Sequence, residues 1–180
     1  MTNVCEIAND HLGRYFVMIE LGRYNKQGGF MEQKITPNLW FDGNAQEAVD
    51  YYVSVFPDSK ISGTSYYPSE GLADFQQHLA GQPLTIDFEL SGNRFTVINA
   101  DPEFKFNESI SFVVTCKDQE EIDYYWEKLS RVPESEQCGW CKDQFGLSWQ
   151  IVPKDMGALM QKPEAFAHMM QMKKLVIADF

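Results

Sequence analysis

The chain has 180 residues, of which 44% are hydrophobic, 14% aromatic and 23% charged, and its formal net charge is −11 at pH 7. This length and composition are typical of a folded protein with a sizeable core and exclude an intrinsically disordered chain. The negative charge disfavours binding to nucleic acids or anionic membrane surfaces, which carry the same sign. The longest apolar stretches, such as residues 15–19 and 110–114, fall far short of the roughly 20 residues of a membrane-spanning helix.

The amino-terminal region and the cysteines indicate the compartment. Residues 1–10 lack the basic and then apolar segments of a secretory signal. The four cysteines do not form an even disulfide framework, and free thiols are usual in a reducing environment. We therefore expect a cytoplasmic protein.

Two segments of the chain are nearly the same: AQEAVDYY at residues 45–52 and DQEEIDYY at residues 118–125, each after a short apolar run. Such self-similarity predicts one strand-and-helix unit used twice. Residues 1–34 match neither copy and form a leader of uncertain status. A break in pattern just before Met31 suggests that Met31 is the biological start, and a further strand at residues 15–21 is an open alternative.

The first module is predicted to cover residues 35–107 in the order β-α-β-β-β. Its helix has apolar residues at helical spacing from Ala45 to Phe56 and ends at Pro57. A polar loop is predicted at residues 68–82. A Ser-Gly-Asn turn joins the last two strands as a hairpin. The predicted strands of this module are residues 35–41, 60–67, 84–90 and 94–99.

The second module, at residues 108–153, repeats this order. Its helix is predicted at residues 117–129, with acidic residues in the first turn, where the helix dipole favours them. Its predicted strands are residues 110–116, a short one within the loop 131–137, and residues 139–142 and 147–152. The remaining segment, residues 154–180, is expected to contain one helix at residues 163–174, with Pro163 in its first turn.

Five motifs accompany this order: ITPNLWF at 35–41, FKFNE at 104–108, QCGW at 137–140, GLSWQIVP at 146–153 and MKK at 172–174. They resemble the signatures of the PhnB-like family, within the glyoxalase/bleomycin-resistance/dioxygenase, or vicinal-oxygen-chelate, superfamily. The resemblance covers residues 35 to about 177. It implies an α+β fold in which two β-α-β-β-β modules form a cupped mixed sheet, here followed by a C-terminal helix.

The resemblance also implies where a metal would lie. In metal-dependent branches of the superfamily, His or Glu on the first and last strands of each module hold a divalent ion. The matching positions here are Pro37 or Asn38, Asn99, Ser109 or Ser111, and Gln150. Neutral amides and hydroxyls bind transition metals poorly, so we expect no metal or other cofactor. A divalent-metal lyase or dioxygenase, with ligands one residue out of register, is the alternative.

Some family members are labelled 3-demethylubiquinone 3-methyltransferase. The chain lacks a glycine-rich strand-to-helix turn of the kind that binds S-adenosylmethionine in Rossmann-like methyltransferases. Methyl transfer is therefore disfavoured. Whether the protein is an enzyme is left open.

The sulfur-containing residues allow two interpretations. The CGWC motif at residues 138–141 lies in a predicted strand, away from any helix N-terminus, and has no second pair for zinc, which favours ordinary strand thiols. The C-terminal methionines form either a soft binding surface or, as we favour, core packing or a dimer seam. They are Met156, Met160, Met169, Met170 and Met172. The histidines, His11, His78 and His168, have no spacing that pairs them.

Residues from strands and from the link between the modules are the candidates for the lining of the cup. The predicted ligand-binding residues are Asn38, Trp40, Asn99, Phe104, Phe106, Ser111, Trp140 and Gln150. Aromatic walls with a few neutral polar groups suit a small planar or aromatic ligand, whereas simple filling of the core is the alternative. Exposed sheet edges and apolar rims lead us to expect a homodimer. A purely structural or partner-binding role is the third hypothesis.

Overall fold

A computed structural model describes residues 33–180 and, within the leader, the backbone of two short strands. The strands β1 (Ile7–Asn9) and β2 (Tyr15–Val17) pair antiparallel. The strand considered at residues 15–21 therefore corresponds to β2, which covers three of those residues. The hypothesis that Met31 is the start lies outside the described residues.

The first sheet has the predicted order β-α-β-β-β. Its elements are β3 (Asn38–Asp42), α1 (Ala45–Val55), β4 (Lys60–Tyr66), β5 (Pro83–Leu90) and β6 (Asn93–Ala100). The spatial order is β3-β6-β5-β4, in which β3 runs parallel to β6 and the other pairs are antiparallel. The polar loop predicted at residues 68–82 joins β4 to β5 and contains a 3-10 helix at Asp74–Leu79.

The second sheet has three strands instead of the four expected. Its elements are β7 (Phe112–Cys116), α2 (Gln119–Leu129), β8 (Trp140–Lys142) and β9 (Ser148–Pro153), and the spatial order is β7-β9-β8. Of the loop with a short strand predicted at residues 131–137, only a single bridge between Gln137 and Trp140 forms, because Pro133–Ser135 is a 3-10 helix. Proline has a fixed φ and no N–H to give to a strand, and both properties favour the first turn of a helix.

The C-terminal segment contains two short helices, α3 (Met156–Leu159) and α4 (Ala165–Gln171), and ends in a 3-10 turn at Ile177–Asp179. The helix predicted at residues 163–174 is therefore shorter at both ends, and α3 was not predicted. Leu159, Ala165, Leu175 and Phe180 form a small apolar cluster of their own. This cluster packs against Val152 of β9 and so attaches the segment to the second sheet.

The main core lies between the two sheets, and α1 and α2 lie within it. Alternate residues of each strand point to the helices, so that Phe41 and Trp149, from different sheets, belong to one cluster. Helix contacts join the modules: the ring of Phe56, which follows α1, is stacked on Tyr125 of α2 at 5.2 Å, and the Tyr124 hydroxyl donates to the Val55 carbonyl at 2.8 Å. The other face of each sheet therefore points away from the shared core. Among the described residues, no helix has the length and apolar character needed to cross a membrane.

Candidate functional site

We call the side of each sheet that is turned away from α1 and α2 its cup face. On the first sheet, the register places Asn38 of β3 opposite Thr96 of β6, and Thr96 opposite Asp87 of β5. Side chains two residues apart share a face, so Trp40 and Arg94 belong to the same face. The predicted residues Asn38 and Trp40 are therefore brought together on the cup face.

An aromatic pair lies at one end of this face. The rings of Trp40 and Phe104 meet edge to face, with centroids 4.9 Å apart. The Trp40 indole N–H donates to the Asp101 carbonyl at 2.9 Å, which fixes the orientation of the ring. Phe104, in the link between the modules, is 58% exposed. The pair leaves apolar ring surface available to a ligand.

A cleft of about 370 Å³ on the same sheet is lined with polar and charged groups. The Thr96 hydroxyl donates to the Asp87 carboxylate at 2.6 Å, and the Arg94 Nε lies 3.8 Å from the Glu89 carboxylate. Sequence reasoning looked for neutral groups and missed these residues. The alternation of charged side chains along β5 and β6 was the signal that could have identified them.

The second sheet carries three of the predicted residues on its cup face. The Gln150 side-chain amide of β9 donates to the Ser111 hydroxyl at 2.8 Å, and Trp140 of β8 lies opposite Gln150 in the register. Lys142, two residues after Trp140, pairs with Glu108. The hydrogen bond from Lys142 lowers the pKa of the exposed Glu108 carboxyl, which is therefore ionised at neutral pH.

Two of the predicted residues lie on the helix-facing side instead. Asn99 is 2% exposed, its Oδ1 accepts from the Ala45 N–H at 3.1 Å, and its Nδ2 donates to the Pro83 carbonyl at 3.1 Å. The Phe106 ring contacts Phe41 of the core, with centroids 5.3 Å apart. Asn99 thus serves as an acceptor for the first turn of α1, and neither residue lines the cup face. The prediction for Asn99 depended on the strand register, and a shift of one residue in register moves a side chain to the other face of the sheet.

The sequence profile of one family, described as 3-demethylubiquinone-9 3-methyltransferase, matches residues 33–152, which is more than half of the chain. The chain belongs to this PhnB-like family. Among curated proteins, none matches it.

Solved structures agree with this assignment. A Bacillus cereus PhnB protein, provisionally described as a 3-demethylubiquinone-9 3-methyltransferase, is 34% identical over 67% of this chain and 99% of that chain, with a TM-score of 0.55. A Staphylococcus aureus protein is 28% identical over 67% of this chain and 97% of that one, with a TM-score of 0.30. A Pseudomonas aeruginosa protein is 15% identical over 68% and 98%, with a TM-score of 0.48. The first confirms the PhnB-like assignment and the α+β glyoxalase fold, and the other two carry no argument here.

In the described part of this PhnB-like chain, the usual metal-binding side chains do not gather into a ligand set. In residues 33–180, three or more His, Cys, Asp or Glu side chains nowhere converge as ligands. Gln150, at the position where the superfamily usually has a glutamate, is hydrogen-bonded to Ser111. The cup face of the PhnB-like chain therefore presents aromatic rings, amides, hydroxyls and ion pairs.

One titratable pair lies near the aromatic pair. His78, in the 3-10 helix before β5, has its Nε2 2.7 Å from the Asp101 carboxylate, and Asp101 also accepts the Trp40 indole N–H through its carbonyl. Sequence spacing gave no sign of this pair.

A second cleft, of about 400 Å³, lies between the end of α1 and the start of α2 and is lined in part by Pro57, Asp118, Glu120 and Glu121. It is on the helix side of the sheets, and its charged groups are three carboxylates with Lys117 beside Asp118. We therefore assign the candidate site to the cup faces, which carry the Trp40 and Phe104 rings and paired polar groups.

Proposed function

We propose that this PhnB-like protein binds a small planar or aromatic molecule on its cup face, without a metal ion. The observation that carries the proposal is the Trp40 and Phe104 edge-to-face pair, which is oriented by a hydrogen bond and still partly exposed. A ring packed against such a pair gains about 0.5–1.5 kcal/mol beyond the effect of area alone.

Polar groups elsewhere on the two cup faces suit the substituents of a ring ligand. The cleft of about 370 Å³ beside Arg94 has a volume within the usual range of small-molecule sites. The Arg94 guanidinium offers a donor for a carboxylate or phenolate, and the Gln150 amide offers a donor and an acceptor. A ring that carries oxygen substituents matches both kinds of group.

The name of the family suggests a ligand class to try first. 3-Demethylubiquinone, named in that description, has a planar ring with several oxygen atoms. We propose quinone-type and catechol-type rings as the first probes. The methyl transfer in that name is not part of the proposal, because the sequence has no glycine-rich strand-to-helix turn of the kind that binds S-adenosylmethionine in Rossmann-like methyltransferases.

We further propose that a second copy of the chain completes the cup. The two cup faces of one chain point away from the shared core, so that one chain alone does not bring them together. Val113, on the cup face of β7, is 56% exposed, and Ile110 just before it is also exposed. In the described part of the chain, β3 and β7 each lie at an edge of their sheet. An apolar edge of this kind is usually covered by a partner.

The first test is elemental analysis and native mass spectrometry of tag-free protein, followed by a titration with quinone and catechol probes read by tryptophan fluorescence. We expect metal-free protein that binds a probe, and a Trp40→Leu variant that binds it at least tenfold more weakly, which corresponds to about 1.4 kcal/mol. Trp126→Phe is the matched control, because Trp126 lies on α2 and packs against the core.

Two outcomes would overturn the binding proposal: unchanged affinity in Trp40→Leu, or a stoichiometric divalent ion whose removal abolishes binding. The second outcome would favour the metal-dependent lyase or dioxygenase. Light scattering tests the dimer separately, and a monomer at micromolar concentration would contradict a cup shared between two chains. The titration would still test whether a single sheet binds the ligand.

A further inference from the structure

Two sulfur atoms from distant parts of the chain approach each other beside the second sheet. The Cys138 thiol donates a hydrogen bond to the Met170 Sδ, with the two sulfur atoms 3.6 Å apart, although the residues are 32 positions apart. Cys138 is in the turn before β8, and Met170 is in α4. Neither residue has a role in the proposed binding of a ring, so the inference below does not depend on that function.

The position of Cys138 is fixed by an unusual turn. Gln137 and Trp140 form a bridge, and the two residues between them have positive φ, 52° at Cys138 and 85° at Gly139. This pattern is a tight turn that favours Asn or Gly, because a side chain with a Cβ is strained in the left-handed region. A cysteine is held there in spite of that cost.

Backbone hydrogen bonds join this turn to the C-terminal segment. The Cys138 N–H donates to the Met172 carbonyl at 2.8 Å, and the Gly139 N–H donates to the Lys173 carbonyl at 2.8 Å. On its other side, the Gly139 carbonyl accepts from the Ile151 N–H of β9 at 2.8 Å. The turn is therefore held between β9 and the chain that follows α4. Both sulfur atoms lie on segments whose relative position is set by the main chain.

Neither residue of this pair is buried. Met170 is 44% exposed and Cys138 is half-buried. The other described thiols, Cys116 and Cys141, are buried, and burial raises the pKa of each to about 12. Of the three described thiols, Cys138 is the one that is not buried and that a metal ion can reach.

We propose that Cys138 and Met170 form a two-sulfur site for a soft monovalent cation of the Cu(I) class. Thiolate and thioether are the ligands that select Cu(I), whereas Zn(II) requires about four donors. Within residues 33–180, three His, Cys, Asp or Glu side chains do not come together to complete such a set. Two bonds of about 2.3 Å, a typical metal–thiolate length, span the gap of 3.6 Å in a bent arrangement. The three rotatable bonds of Met170 allow a wider angle.

The binding step involves no change of oxidation state. The Cys138 thiol releases its proton to solvent, the thiolate and the Met170 thioether each donate an electron pair to the cation, and no electron is transferred. Uptake of Cu(I) should therefore release close to one proton per chain wherever the free thiol is protonated.

The test uses full-length protein with Cys5→Ser, which removes the thiol that lies outside the described residues. Cu(I) is offered without oxygen in competition with a chromophoric chelator, Ag(I) serves as a second probe, and native mass spectrometry gives the stoichiometry. We expect one Cu(I) per chain, loss of this binding in Cys138→Ser, and at least tenfold weaker binding in Met170→Leu. Met169→Leu is the matched control, because it removes a neighbouring thioether of α4 that packs against the apolar cluster.

Equal affinity of Met170→Leu and the parent protein would overturn the proposal, since it would indicate a simple thiol adduct. Equal affinity for Zn(II) and Cu(I) would also overturn it. X-ray absorption at the copper edge gives a readout that does not depend on how the variants fold. Two sulfur neighbours per copper support the site, and a single sulfur neighbour contradicts it.

Discussion

Replacement of Asp143 by Asn tests how a buried carboxylate joins the two modules. Asp143 is fully buried in the turn between β8 and β9. Its Oδ1 accepts from the N–H groups of Phe145 at 2.9 Å and Leu147 at 3.1 Å. Its Oδ2 accepts from the Tyr52 hydroxyl of α1 at 2.8 Å and from the Trp149 indole N–H of β9 at 2.7 Å. One side chain thus satisfies four donors from both modules.

The Asp143→Asn variant would keep one acceptor and place an NH₂ group where Oδ2 is now. The Tyr52 hydroxyl can rotate and accept from that group, but the Trp149 indole N–H can only donate. One buried donor would lose its acceptor, at a cost of about 1–3 kcal/mol. We therefore expect Asp143→Asn to lower the free energy of unfolding by about that amount at pH 7. Asp143→Ala, which removes both oxygen atoms, should cost more.

The pH dependence of this loss has a definite sign. Burial raises the pKa of the Asp143 carboxyl, and the hydrogen bonds from Trp149, Tyr52 and the backbone oppose that shift. A folded pKa above the unfolded value of about 3.9 means that the stabilisation from protonation is fully present below 3.9 and is lost as the pH rises through the raised pKa. The amide of the variant does not titrate. The gap in unfolding free energy between parent and variant should therefore widen as the pH falls from 7 towards 4.

Urea unfolding followed by far-ultraviolet circular dichroism measures this gap, because the signal does not depend on Trp149 itself. Asp50→Asn is the control, since Asp50 is exposed on α1 and hydrogen-bonded to Gln46 on the same helix. Equal stability of the parent and Asp143→Asn at pH 7 would refute the donor argument. A gap that narrows on acidification would show that the folded pKa lies below 3.9 and would refute the sign.

Two further substitutions test the turn and cap assignments by urea unfolding, each against a control. Asn99→Ala should lower the unfolding free energy by about 1–2 kcal/mol, because it removes the acceptor of the first turn of α1. Asn44→Ala should have little effect, because the Asn44 side chain makes no cap hydrogen bond; equal losses would contradict this division. Gly139→Ala should lower the unfolding free energy by at least about 1 kcal/mol more than Gly92→Ala does. A Cβ on Gly139 would lie 2.9 Å from the Ile151 carbonyl oxygen, whereas a Cβ on Gly92 would meet nothing within 4 Å. Both glycines have positive φ, so similar losses would show that the close contact is relieved.

Local sequence signals were sufficient for most of the fold. Alternating strands, a hairpin turn and a helix stopped by Pro57 gave the order of the first module, which the structure confirms. The predicted start of α2 was two residues too early. Asp118 is the N-cap of this helix, and its side chain accepts from the Glu121 N–H at 3.0 Å. The strand expected within residues 131–137 failed because Pro133 starts a 3-10 turn. Errors therefore occurred where a single side chain decides how an element begins.

The site was less predictable, because it depends on which face a residue occupies and on contacts between distant segments. The structure brings Ser111, Trp140 and Gln150 together on one face of the second sheet. Asn99 instead lies on the helix-facing side of the first sheet and accepts from the first turn of α1. The pairs formed by His78 with Asp101 and by Cys138 with Met170 are 23 and 32 positions apart.

No periodicity marks such pairs, since each joins a loop or turn to a segment that tertiary packing brings to it. Strand alternation assigns a residue to a face only when the register is known, and the register depends in turn on the packing. The contacts on which both proposals rest, that of Trp40 with Phe104 and that of Cys138 with Met170, are of this long-range kind. Each of these contacts joins one side chain to one other, so a single substitution at either residue tests it.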